Sequence, residues 1–339
     1  MHNRVARCCY GLAIIFLAGL VSQGTVAQAE QAPAHVHDHD APAKPHDHAD
    51  MVISAATETL DAVEKSATAF SGDIAGLPDA VPTATVELQD GDSYEITASY
   101  VKKKIGNRTL RMLAYNGSVP GPFIKATQGS EITIRFHNNT DVEQTIHSHG
   151  VRIDNRYDGV PGITQDSVQP GQSFTYVVRF RDAGVFWYHP HTREDYGQEM
   201  GLYGNYLIDP STAGYWSPVN REIPLVVDDV PIENDRIASF YREFTNYALL
   251  GRFGNDFLVN GESAYRLAVK KGEVIRFYIT NVSNVRTFNL SLPGVQTKFV
   301  GADLGKLEHE TFVGNLVISP AERLVVEAYF PNPGSYQLT

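Results

Sequence analysis

The chain has 339 residues, of which 42% are hydrophobic and 20% are charged, and its formal net charge is −11. This length and apolar content suffice for two ordinary domains, each with a buried core. The negative charge argues against nucleic acid and anionic membrane surfaces as partners, because neither would attract the protein over distance.

The first 29 residues are predicted to be a secretory signal peptide. Arg4 and Arg7 precede an apolar stretch at residues 10–20, and residues 27–29 (AQA) form a small-x-small cleavage site. The apolar run is too short to favour a membrane anchor, and the two cysteines of the chain, Cys8 and Cys9, come before it. We therefore expect export to the periplasm or the extracellular space, and a mature chain without cysteine.

Residues 30–82 are predicted to form a flexible tail, because they contain few large apolar side chains. The tail carries a tract of histidine and aspartate, HVHDHD at residues 35–40 and HDH at residues 46–48. Flexible imidazoles and carboxylates bind divalent metals with modest affinity, so copper sequestration and a plain solvated linker both remain open. Residues 54–70 are expected to form a short helix.

From residue 84 onward the hydrophobic pattern has a period of two residues. Residues 131–136 (EITIRF) and 173–180 (SFTYVVRF) alternate or run apolar, and glycine, proline and asparagine separate such segments. This pattern is typical of a β-sandwich, and we expect an all-β protein.

Two His-x-His elements stand where predicted strands run out into loops: His147 with His149, and His189 with His191. Residues two apart on a strand point to the same face, so each element offers two imidazoles at one end of a sheet. A single buried histidine is more often only hydrogen-bonded, but neutral imidazole is a strong ligand for copper and zinc. Four of them together predict a metal site.

The segments around these pairs, TIHSHGV (145–151) and GVFWYHPHT (184–192), resemble the first two copper-binding motifs of the multicopper oxidases. YNGSVPGPFI (115–124), QG (128–129), DGVP (158–161) and GLYG (201–204) resemble further landmarks of the family's first cupredoxin domain, in the family's order. The resemblance implies that His147 is a type 2 copper ligand and that His149, His189 and His191 are type 3 ligands. It also places Asp158 where the family has an acid that delivers protons to reduced oxygen, although a turn-forming role for this residue remains equally open.

An internal repeat indicates two domains of one fold. Residues 124–140 align without a gap on residues 267–283, a shift of 143 positions. We therefore expect two consecutive cupredoxin-like Greek-key β-sandwich domains, at residues 83–212 and 213–339. The same shift carries the first ligand pair onto Leu290 and Leu292, so the second domain is expected to hold no ligands. Its single histidine, His309, is expected to be structural.

A second alignment, with a shift of 150, carries residues 170–188 onto 320–338. The first copy continues through an apolar segment at residues 201–208, for which the second copy has no counterpart. We therefore expect the second domain to lack its closing strand. A sandwich without that strand exposes an unpaired edge, which natural domains avoid, so we expect the chain to be cut short. A further C-terminal cupredoxin domain is expected to belong to the same protein.

The resemblance implies a complete oxidase with a type 1 copper, held by one cysteine and two histidines, and a three-copper cluster held by four His-x-His pairs. This chain would supply half of the cluster and no type 1 site. The interpretation is the N-terminal part of a laccase-like multicopper oxidase, inactive alone, that couples one-electron oxidation of a phenolic or metal-ion substrate to reduction of dioxygen to water. Two alternatives stay open: a periplasmic copper-binding or copper-resistance protein without oxidase activity, and a two-domain protein with a two-zinc or two-copper site.

Overall fold

The structure, a computed structural model, describes residues 70–240, 247 and 250–339. The predicted signal peptide, most of the predicted tail and nearly all of the predicted helix at 54–70 lie outside these residues. The all-β prediction is confirmed, and the fold consists of two consecutive cupredoxin-like β-sandwiches.

The first sandwich contains nine strands and two single-turn helical elements. Their bounds are β1 Thr85–Glu87, β2 Ser93–Ile105, β3 Arg108–Tyr115, β4 Phe123–Thr127, β5 Glu131–Asn138, β6 His147–His149, a 3-10 turn Asn155–Tyr157, β7 Ser173–Arg179, β8 Gly184–His189, helix α1 Glu194–Gly197 and β9 Gly204–Asp209. One sheet has the order β1-β4-β9-β8-β6 and the other β3-β2-β5-β7. Alternate residues from both sheets fill the core between them, including Ile96, Ile134, Tyr176, Tyr188 and Tyr206.

The second sandwich is built around a six-stranded sheet. Its strands are β10 Arg221–Val230, β11 Ile232–Glu233, β12 Arg236–Ile237, β13 Asp256–Val259, β14 Glu273–Asn281, β15 Phe288–Leu290, β16 Gln296–Ala302, β17 Gly305–Val313, β18 Leu316–Ile318 and β19 Arg323–Phe330. The large sheet has the order β13-β10-β14-β19-β16-β17, and β15 pairs with β18 beside it. A separate core lies between them, with Leu225, Ile275, Leu316 and Val326 among its members.

The sequence repeat recurs as a repeat of side-chain hydrogen bonds. At the end of β5, Asn138 Nδ2 donates to the carbonyls of Val142 and Val168, and its Oδ1 accepts from the hydroxyl of Thr140 at 2.7 Å. At the end of β14, Asn281 Nδ2 donates to the carbonyls of Arg286 and Ile318, and its Oδ1 accepts from the hydroxyl of Ser283 at 2.7 Å. The same turn therefore leads into the loop before β6 in the first sandwich and into the loop before β15 in the second.

The two sandwiches differ at the position of β9. In the first, β9 is hydrogen-bonded between β4 and β8. In the second, the segments aligned with β4 and β8, residues 266–270 and 334–338, border a mainly apolar cleft of about 890 Å³, and no strand of the described residues lies between them. Leu267, Leu290, Phe330 and Leu338 are among the residues that line it.

Buried polar contacts join the two sandwiches. Gln198 Nε2 donates to the carbonyl of Val282 at 2.7 Å, and Asn205 Nδ2 donates to the hydroxyl of Thr280 at 2.7 Å. A Cβ atom on Gly305 would lie 2.9 Å from the carbonyl oxygen of Ala183, so the backbones themselves come close there. The start of β8 is thus packed directly against the β16–β17 hairpin.

The predicted flexible tail extends too far toward the first domain. Phe70 lies within the predicted range 30–82, yet only 2% of its surface is exposed, and its ring meets that of Tyr196 edge-on at 4.9 Å. Burial of one aromatic side chain is favourable enough to fix a short segment on a sandwich. Within the described part of the chain, no helix has the length and apolarity needed to cross a membrane.

Candidate metal centre

The two His-x-His elements are brought together by one strand pair. Strands β6 and β8 are antiparallel, with His147 opposite His189 and His149 opposite Trp187. Because side chains alternate along a strand, the three histidine rings and the Trp187 ring share one face of the sheet. Ser148 and Tyr188 point to the other face. His191 follows His189 after one proline, just beyond the end of β8.

The four predicted ligands form one group of rings. The ring of His147 lies 5.6 Å from that of His149, 5.4 Å from that of His189 and 4.8 Å from that of His191, measured between centroids. One nitrogen each from His147, His149 and His189 can be chosen such that all three lie within 4.8 Å of one another. His191 adjoins this triad, with its ring centroid 5.8 Å from that of His189.

Three of the imidazoles are oriented through Nδ1. His147 Nδ1 donates to the carbonyl of Asp158 at 2.6 Å, and His189 Nδ1 donates to the carbonyl of Pro190 at 2.9 Å. His191 Nδ1 lies 2.7 Å from a carboxylate oxygen of Glu194. Each contact leaves Nε2 as the free lone pair, which is the arrangement that metal-binding histidines require.

His149 is oriented differently. Its Nδ1 lies 3.3 Å from Nε2 of His189, within hydrogen-bond distance, so the two nitrogens face each other and one can donate to the other. Two facing imidazole lone pairs are unfavourable unless a proton or a cation lies between them. This donor set, all nitrogen and largely shielded from water, fits copper or zinc.

Burial favours the neutral form of three of these imidazoles. It lowers the pKa of His147 and lowers that of His189 well below the usual value, in each case against the raising effect of a carbonyl acceptor. It also lowers the pKa of His149 to about 4, and the positive charge of Arg323 adds to the effect. Neutral imidazole is the form that binds metal, so these three ligands need release no proton near pH 7.

Asp158, the predicted proton donor, lies behind His147. Its backbone carbonyl holds the imidazole, and its carboxylate oxygen is 3.3 Å from the same Nδ1. Gly159 must be glycine, because a Cβ atom there would lie 2.1 Å from the carbonyl oxygen of Ile146. The structure thus places Asp158 at the site and also in a tight turn, which are the two roles left open by the sequence.

Three supporting residues were not predicted from the sequence. The ring of Trp187 stacks on that of His189 at 4.0 Å between centroids, and the hydroxyl of Thr145 accepts from the backbone amide of His191 at 3.1 Å. The third is Glu194. Its position three residues after His191, at the start of a helical turn, is a local signal that could have identified it.

In the second sandwich, leucine occupies the positions that align with the first pair of predicted ligands. Leu290 is buried in the second core, and Leu292 packs against it. The backbones of Ser291 and Thr339 donate to each other at 2.8 and 3.0 Å, which reproduces the pairing of β6 with β8 to within one residue. His309 lies on β17 with its side chain exposed, outside the cluster.

A cupredoxin-like sandwich that presents four converging histidines at the end of one sheet has the donor arrangement of a metal-binding β protein. Two family models, each described as multicopper oxidase, match residues 96–213 and 237–339. The chain belongs to the multicopper oxidase family.

Known relatives agree with this assignment. The chain is 24% identical to a copper resistance protein A homolog of Pseudomonas syringae pv. tomato, over 73% of this chain and 49% of the relative. It is 30% identical to the multicopper oxidase mco of Staphylococcus aureus, over 62% of this chain and 47% of that protein. The crystal structure of a multi-copper oxidase from Pseudomonas thermotolerans superposes with a TM-score of 0.68 at 29% identity, covering 75% of this chain and 61% of that one. The chain spans about half the length of the curated relatives it matches.

Proposed function

We propose that His147, His149, His189 and His191 bind copper, as the share of a trinuclear copper centre that a first cupredoxin domain contributes. The protein would then be a laccase-like multicopper oxidase, coupling one-electron oxidation of a phenolic or metal-ion substrate to reduction of dioxygen to water. The observation that carries this proposal is the convergence of the four rings on one face, with three of them oriented through Nδ1.

Within this centre, we assign His147 to the type 2 copper and His149, His189 and His191 to the type 3 pair. The facing nitrogens of His149 and His189 support a metal position near both rings. Four imidazoles cannot satisfy three copper ions, so further ligands must come from another cupredoxin domain. A type 1 copper needs a thiolate, and the two cysteines of this sequence, Cys8 and Cys9, fall within the predicted signal peptide.

Bound copper would supply the electrons that reduce dioxygen. The protein residues hold the four rings in place, and burial favours the neutral form of His147, His149 and His189. The carbonyls of Asp158 and Pro190 fix the tautomers of His147 and His189, and Glu194 does the same for His191. The carboxylate of Asp158, about one third exposed, connects the back of the site to solvent and is our candidate for a proton donor.

The test is the copper content of single alanine variants at the four histidines. The full chain should first have its tail histidines, residues 35, 37, 39, 46 and 48, replaced by asparagine, because the tail is itself predicted to bind copper. Each of the four variants is expected to bind less copper by mass spectrometry, whereas exposed His309→Ala should bind as much as the parent. Undiminished copper in all four would overturn the proposed centre.

A copper-binding or copper-resistance protein without oxidase activity is the second candidate. The similarity to a copper resistance protein A homolog and the histidine-rich segment favour it. Oxygen uptake with a phenolic donor, measured on a protein with the complete set of ligands, separates the two candidates. Both require export, which we propose on the basis of residues 1–29; the intact mass of secreted protein should correspond to an amino terminus at Glu30.

A further inference from the structure

One arginine of the second sandwich reaches into the first. Arg323 begins β19 and is only 4% exposed. Its Nε donates to the carbonyl of Val185 at 3.3 Å, and its guanidinium carbon lies 5.9 Å from the ring centroid of Phe186. Val185 and Phe186 belong to β8, the strand that ends at His189. Arg323 therefore contacts the strand that carries the second ligand pair.

The same guanidinium covers the residue that follows the first pair. A Cβ atom on Gly150 would lie 2.3 Å from one terminal nitrogen of Arg323 and 3.1 Å from its guanidinium carbon. Gly150 also has φ of +79°, where other residues are strained. The backbone next to His149 thus lies directly against the arginine, and any side chain at residue 150 would force the two apart.

Arg323 is held in this position by its own sandwich. One terminal nitrogen lies 2.8 Å from a carboxylate oxygen of Asp303 and donates to the carbonyl of Ala321 at 3.0 Å. The other donates to the carbonyl of Asp303 at 3.2 Å, and the Asp303 carboxylate also accepts from the backbone amide of Arg323 at 2.8 Å. A planar guanidinium with this many partners has little rotational freedom.

We propose that Arg323 is a positioning residue of the metal centre: the second sandwich uses it to fix the backbone of His149–Gly150 and of β8. This inference rests on the proposed copper site. Metal ligands must be held to within about 0.5 Å of their working geometry by the residues around them. His149 ends the edge strand β6, and Arg323 adds a contact at the point where this strand stops. The second sandwich, which has leucine at the corresponding ligand positions, thereby still contributes to the centre.

The test is Arg323→Met in the full chain, with Arg276→Met as the matched control. Arg276 is a buried arginine of the same sandwich whose ion pairs are with Glu222 and Glu327, residues of β10 and β19. Arg323→Met is expected to weaken Cu²⁺ binding about 10- to 100-fold, as loss of a supporting contact does, and to change the electron paramagnetic resonance spectrum of bound Cu²⁺. Arg276→Met should lower stability and leave that spectrum unchanged.

A double-mutant cycle tests the contact itself. Gly150→Ala should alter the copper spectrum in the parent chain and alter it less in an Arg323→Ala background, because the steric conflict is then absent. Parent-like copper affinity and spectrum in Arg323→Met, or equal changes in Arg276→Met, would overturn the inference.

Failure of the copper site would be recognised separately. If the parent chain binds no copper at the four histidines, the proposed function is wrong, and the metal-free protein still tests Arg323. The imidazole ¹H–¹⁵N signals of His149 should shift in Arg323→Met and stay in place in Arg276→Met. Unshifted signals in Arg323→Met would show that the arginine does not position this ligand.

Discussion

The Nδ1 atoms of three predicted ligands, His147, His189 and His191, meet two kinds of acceptor. Those of His147 and His189 meet backbone carbonyls, which accept at every pH, whereas that of His191 meets the carboxylate of Glu194. Side-chain substitution cannot remove a backbone acceptor. The orientation of His147 is therefore separable from the chemistry of the Asp158 side chain, although both belong to one residue.

Asp158→Asn uses this separation. The carbonyl of residue 158 still holds His147, so copper content is expected to stay within about twofold of the parent. Positioned proton donors contribute roughly 10²- to 10⁴-fold to rate, so oxygen uptake by a protein with the complete centre is expected to fall by about 10²-fold or more. Oxygen-electrode rates and copper content should be measured together, with exposed Asp154→Asn on the same loop as the control. Parent-like turnover would leave Asp158 with its turn role alone.

At this scale, residues marked by their spacing in the sequence were predictable, whereas residues whose contacts join distant segments were not. The grouping of His147, His149, His189 and His191 could be predicted because residue type and a two-residue period are both local properties. Arg323 has no such signal: its contact with Gly150 exists only after two distant segments have packed together.

At the scale of elements, the asparagine turn is the feature that the two sandwiches share most completely. Asn138 and Asn281 are fully buried, and each side chain donates to two backbone carbonyls and accepts from a neighbouring hydroxyl. Loss of the side chain removes these hydrogen bonds from a buried site, which costs free energy. The turn is therefore expected to stabilise both sandwiches, with and without ligands nearby.

Asn138→Ala and Asn281→Ala are each expected to lower the free energy of unfolding by about 1–3 kcal/mol. Urea denaturation followed by tryptophan fluorescence measures this change, and the exposed neighbour Asn139→Ala is expected to lie within about 0.5 kcal/mol of the parent. A destabilisation confined to Asn138→Ala would show that the second turn does not share the role of the first.

Strands with a clear period and a duplicate were predictable, since β5 and β14 repeat the same pattern of inward-facing apolar residues. The short pair β11 and β12 has two residues in each strand, too few for any period to appear. The burial of Phe70 was also missed, because one aromatic residue in a polar stretch carries no periodic signal.

At the scale of the whole molecule, the interface between the sandwiches contains buried acids. Asp228 is fully enclosed and accepts from the hydroxyl of Tyr203 at 2.8 Å. Burial raises the pKa of Asp228 well above its usual value, and the negative charge of Glu199 adds to the effect. Such pairing between distant side chains could not be predicted from the sequence, because it depends on how two separately recognisable sandwiches dock.

The raised pKa sets the direction of a pH dependence. A carboxyl whose folded-state pKa lies above its unfolded value stabilises the fold fully below the unfolded pKa, near 4, and loses this contribution as pH rises through the folded-state pKa. Asp228→Asn cannot ionise, so the free energy of unfolding of the variant is expected to gain on that of the parent as pH rises from about 4 to 8. Denaturation at several pH values measures the difference, and exposed Asp79→Asn should show no such trend. A pH-independent difference for Asp228→Asn would contradict the assignment.

The asparagine turn also bears on ancestry. Two copies of one hydrogen-bonded turn in a single chain are what duplication of an ancestral coding segment leaves behind. After the duplication, one descendant has histidine at the ligand positions and the other has leucine, while both retain the turn. The shared turn is therefore tied to folding, whereas the exchange of histidine for leucine concerns the proposed metal site.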